Sequence, residues 1–70
     1  EIQPQKATAF QTTRYINDLD SSNASVRSTA AANLGILGDS KAVAKLIALL
    51  GDSEISVRES AANALKQIGA

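Results

Sequence analysis

The side chains most suited to chemistry in this chain are two arginines, Arg27 and Arg58, and the aspartates Asp20 and Asp52 that stand close by in sequence. A guanidinium beside a carboxylate makes a paired, charge-assisted fork that fixes geometry. The same arginines could alternatively grip an anionic partner. Glu54 and Glu59 are the nearest thing to a carboxylate pair, but a spacing of five turns them to different sides of a helix. Serines are plentiful, yet the chain has no His and no Cys, so none has an obvious activating base and no thiol or zinc chemistry is available. Metal-ligand spacing and a glycine-rich phosphate loop are also missing. The expectation is a non-catalytic chain with no cofactor and no metal.

Charge narrows the partners. Seven basic and seven acidic residues cancel, and they are scattered singly. That balance speaks against a nucleic-acid track and against a polybasic membrane patch. The strongest apolar stretch, Ala42 to Leu50, is interrupted by Lys45 and is too short to span a bilayer. Neither a basic region nor an apolar run opens the sequence, so no signal peptide is read and a cytoplasmic location is expected.

The elements that must position these residues come from an internal repeat. A shift of 31 residues lays Leu19–Asp39 over Leu50–Ala70 with nine identities among 21 pairs. The identities include Ser25/Ser56, Val26/Val57, Arg27/Arg58, Ala30/Ala61, Ala31/Ala62, Leu34/Leu65 and Gly38/Gly69. Upstream, Arg14, Tyr15 and Ile16 fall on Lys45, Leu46 and Ile47. Shared amphipathic periodicity alone would not reproduce Ser-Val-Arg, Ala-Ala, Leu and Gly at fixed offsets, so a tandem repeat is inferred.

Each unit reads as two helices. In the second, Asp39 is a natural N-cap, followed by Val43, Leu46, Ile47 and Leu50 at helical spacing. Gly51-Asp52-Ser53 breaks that helix, and a further one carries Val57, Ala61, Ala64, Leu65 and Ile68 on one face, with Gly69 as its C-terminal cap. In the first unit a helix from about Lys6 to Leu19 bears a stripe of Phe10, Tyr15, Ile16 and Leu19. Thr8, Gln11, Thr12, Thr13, Asn17 and Asp18 cover the rest of it, as suits an N-terminal cap. After the turn Asp20-Ser21-Ser22, Asn23 caps a helix with Val26, Ala30, Leu34 and Leu37 that stops near Gly38. Short turns imply that neighbours run antiparallel. The fold class is therefore all-α, four helices in two hairpins, with repeat 1 at about 7–38 and repeat 2 at about 39–70 of one domain spanning 1–70.

Asp52-Ser53-Glu54-Ile55-Ser56-Val57-Arg58, followed by Ala61-Ala62 and Leu65, resembles the short HEAT repeat of phycobilisome lyase-type proteins. Val26-Arg27, Ala30-Ala31, Leu34-Gly35 and Gly38-Asp39 match the same pattern, so the resemblance covers residues 7–70. It departs at Ser40, Ser53 and Ile55, where such repeats often carry Pro, and at Lys66, which replaces the glycine that Gly35 supplies in the first copy. The resemblance implies an alpha-alpha superhelix, with Asp20, Arg27, Asp52 and Arg58 as a structural ladder linking repeats. It also implies a protein-binding scaffold, since partners of HEAT solenoids generally bind the surface lined by the second helices. Ser28, Glu59, Asn63 and Lys66 are the expected partner-binding positions on that surface. Two alternatives follow: a fragment or accessory subunit of a phycobilin lyase, and a self-assembling structural repeat. No polar helix follows Gly69-Ala70, so the C-terminal end is expected to meet a further repeat, another protein or a second copy of the chain in a homodimer.

Overall fold

The computed structural model describes residues 4–69, with side chains from residue 10 onward, and shows four α-helices: α1 (Pro4–Asp18), α2 (Ala24–Leu37), α3 (Val43–Leu49) and α4 (Ile55–Ile68). Among the described residues there is no strand. Pro4 opens α1, where its missing N–H is no loss. The side chains of Lys6 and Thr8 lie outside the described set.

Local chemistry sets the boundaries of α2. The Asn23 side chain accepts a hydrogen bond from the Ser25 N–H at 2.9 Å, satisfying one of the donors that a helix start leaves over. Gly38 ends the helix in the left-handed conformation at φ 69°, and its N–H closes on the Leu34 carbonyl. Gly69 does the same for α4 at φ 89°. A side chain at either φ would be strained, which explains why both units keep glycine there.

The third helix is shorter than the sequence suggests. Asp39 caps the Lys41 N–H at 2.9 Å, but what it opens is a single 3-10 turn, Ser40–Ala42. The α-helix proper begins at Val43, and Leu50 terminates it. Tight turns of this kind are common at helix starts.

α2 lies at the centre. It packs against α1 in the first hairpin and most extensively against α4, which in turn packs on α3. The core is Leu19, Ala30, Ala31, Leu34, Ala42, Leu46, Ala61 and Ala64, flanked by Tyr15, Ile16, Leu49, Leu65 and Ile68. Alanines supply five of these eight central positions, so the helices approach closely and bury little volume each.

The inward stripe of α1 differs from the expected one. Phe10 is exposed, at 83 % of its surface, while Thr12 is buried. Thr12, Tyr15, Ile16 and Leu19 follow the i, i+3, i+4, i+7 spacing that Phe10 breaks, and Thr12 aligns with Val43 of the second unit. The Thr12 hydroxyl has no hydrogen-bond partner among the described residues.

Candidate protein-docking face

Arg27 is half-buried on the side of α2 that meets the second unit. Its Nε donates to Asp52 Oδ2 at 2.9 Å, and Nη2 donates to Oδ1 at 3.0 Å. The third contact, from Nη1 to the Ser21 carbonyl at 2.8 Å, ties the same guanidinium back to its own turn. Asp52 also accepts from the Glu54 N–H at 2.9 Å, so one carboxylate clamps Arg27 and the start of α4 together. The fork from Arg27 holds the Asp52 carboxyl below the usual range. The Glu54 N–H and the charges of Arg27 and Arg58 add to that lowering against the cost of desolvation. In return the carboxylate raises the Arg27 pKa. Both groups therefore stay ionised across the neutral range.

Arg58 repeats half of this arrangement. Its Nη1 donates to the Asp52 carbonyl at 2.7 Å, the counterpart of Arg27 reaching Ser21. Among the described residues, no carboxylate meets its Nε and Nη2. Asp20 does not join either arginine: it accepts from Lys45 Nζ across the two units, in an exposed pair. The reason is directional. Arg27 points forward to the following turn, and the turn behind it contributes only a backbone carbonyl.

The four expected partner-binding positions separate. Glu59, Asn63 and Lys66 are exposed on α4. Ser28 is not with them, because it is half-buried between α2 and α4. Its hydroxyl lies 2.7 Å from Ser60 Oγ and donates to the Ser56 carbonyl at 3.3 Å. Ser28 and Glu59 are equivalent by repeat register, and in stacked repeats an equivalent position in one unit is covered by the next. The register that made Ser28 look like part of a surface is what places it in a contact.

That register exposes a second set of residues. On α2, Ala24, Ser28, Ala31 and Gly35 form the stripe that α4 covers, and all four are half-buried or buried. Their equivalents on α4 are Ile55, Glu59, Ala62 and Lys66, and all four are exposed. The preceding helices behave alike. Leu19, beside Lys45, Ala48 and Leu49, is 2 % exposed, whereas its equivalent Leu50 is 44 % exposed. Ile16 packs on the core, while Ile47 is 53 % exposed. Helical spacing alone sets Ile47 and Leu50 beside Val43 and Leu46 and does not tell the exposed pair from the covered one. Comparing which unit covers which would have found them.

No group of three or more His, Cys, Asp or Glu side chains placed to hold a metal occurs among the described residues, and no described helix is long and apolar enough to cross a membrane. Paired helices stacked in register, tied by an arginine–aspartate fork from one unit to the next, define an α-helical repeat protein. The chain belongs to the HEAT-repeat family: the family model described as HEAT repeats matches residues 14–70, covering both units from within α1 onward. No curated protein matches it significantly.

Proposed function

We propose that this chain is a non-catalytic protein-binding scaffold whose docking surface is the outward face of its second unit: Ile47 and Leu50 beside the α4 stripe of Ile55, Glu59, Ala62 and Lys66. HEAT repeats are commonly protein-interaction scaffolds, and the family is generally non-catalytic. The observation that carries the reading is the contrast between equivalent positions. Leu19 is covered, Leu50 is exposed, and the exposed one keeps the same large apolar side chain. An apolar group kept at the surface beside charged neighbours has the composition of an interface, with an apolar centre and a polar rim.

Chemistry supports binding over catalysis. The chain lacks His and Cys, and its lowered carboxyl, Asp52, is spent on the fork with Arg27. Zero net charge supports a protein partner over a nucleic acid or an anionic membrane.

The test uses Leu50→Glu and, as a control on α2 outside the proposed face, Ile36→Glu. Ile36 is 73 % exposed, so both variants should fold alike by circular dichroism. Leu50→Glu is expected to weaken any association with a purified partner or with the chain itself by at least about tenfold, because a charge enters the apolar centre. Ile36→Glu should leave it unchanged. Equal affinities for the two variants would contradict the placement.

A further inference from the structure

The α4 stripe differs from the α2 stripe in a way that bears on its occupant. A Cβ added at Gly35 would lie 2.7 Å from Ala64 Cα and would also strike the Gln67 side chain. Contact this close, with Ser28 against Ser60 beside it, works only because the α2 stripe consists of Ala24, Ser28, Ala31 and Gly35. On α4 the positions of Ser28 and Gly35 are held by Glu59 and Lys66. A further helix seated as α4 sits on α2 would press its backbone onto Lys66. The face is poorly made for another repeat stacked in the same parallel sense.

An antiparallel neighbour meets different chemistry. Glu59 and Lys66 are seven residues apart, two turns along one side of α4, and the midpoint between them falls at Ala62–Asn63. A two-fold axis through that midpoint would bring Glu59 of each copy opposite Lys66 of the other. Ala62, exposed and small, would sit at the crossing where the helices come nearest. Such an interface is isologous: one patch complementary to itself. Building on the docking face proposed above, we infer that its occupant is a second copy of this chain, paired α4 against α4 in antiparallel orientation. Ile47, Leu50 and Ile55 supply the apolar burial, and the reciprocal Glu59–Lys66 pairs set the orientation. Charges of this sort contribute orientation and selectivity more than affinity.

The two-fold arrangement makes a specific prediction for charge reversal. Glu59→Lys puts two like-charge pairs in every dimer, and so does Lys66→Glu. Either variant alone should raise the dissociation constant by at least about tenfold in sedimentation equilibrium. The double variant, Glu59→Lys with Lys66→Glu, should return to the wild-type value. Mixing the two single variants should restore dimers in the mixture, each holding one copy of either kind. All these sites are exposed, so thermal melting at low concentration serves as the folding control and should not change.

Wild-type chain that stays monomeric up to about 1 mM, near the weak limit of specific association, would overturn the inference. So would dimers indifferent to both single reversals. If those dimers were still lost in Leu50→Glu, the docking face would stand and only the antiparallel pairing would fall. Indifference to Leu50→Glu as well would remove both.

Discussion

α2 and α4 hold equivalent places in their units, begin with the same Ser-Val-Arg and end on the same left-handed glycine, yet they present opposite surfaces on the same stripe. The stripe of α2 is small and covered. That of α4 is larger, charged at two positions and exposed. Identical positions within a repeat therefore carry one of two instructions. Residues on the inward side, such as Ala30 and Ala61, are buried in both units because each hairpin closes on itself. Residues on the stacking side are buried only when a neighbour arrives, so their identity reports what that neighbour is.

The sharpest way to break this comparison is to truncate the same residue in both units. Leu19→Ala removes a side chain that is 2 % exposed and should cost about 2–5 kcal/mol of stability, read from chemical denaturation. Leu50→Ala, at 44 % exposure, should cost under about 1 kcal/mol in the monomer. Equal losses would mean that the two units are covered alike. A smaller effect is expected at the helix contact. Gly35→Ala should gain up to about 1 kcal/mol of helix propensity, but it drives a Cβ against the backbone of Ala64. Overpacking of this kind typically costs about 1–3 kcal/mol, so the net effect is destabilising. At the equivalent place on α4, Lys66→Ala should be neutral within about 0.5 kcal/mol.

The arginines extend the contrast to pH. Asp52 has a depressed pKa when folded, so its contribution is complete above the ordinary value of 3.8 and is lost as pH falls through the lower folded value. Thermal melting of the wild type should therefore drop on acidification below about pH 4, and Asp52→Asn should flatten that drop. Arg27→Gln should also reduce the acid sensitivity, since it removes the fork that lowers the carboxyl. Arg58→Gln should change it less, because Arg58 touches only the Asp52 backbone carbonyl. If the two arginine variants behaved identically, the ladder would not be directional.

Much of this was legible in the residues. Asn23 and Asp39 are legible as caps from their side chains, and Gly38 and Gly69 as helix ends that the 31-residue register pairs, since caps depend on local backbone chemistry that the sequence carries directly. Phe10 is apolar but off the helical spacing and stays exposed, whereas polar Thr12 stands in the register of Val43 and takes the buried place. Ser28 and Asp20 are a different case. Their contacts, with Ser60 and with Lys45, cross from one unit to the next. A repeat alignment says which positions are equivalent, but which neighbour each one meets depends on how the hairpins stack.

The most direct test of the docking face is a series of amide and methyl NMR spectra of the wild-type chain over a wide concentration range. Concentration-dependent shifts should concentrate at Ile47, Leu50, Ile55, Glu59, Ala62 and Lys66, and leave Phe10, Thr29 and Ile36 still. Shifts gathered on those last three instead, or spectra that do not move at any concentration, would contradict a self-pairing face on the second unit.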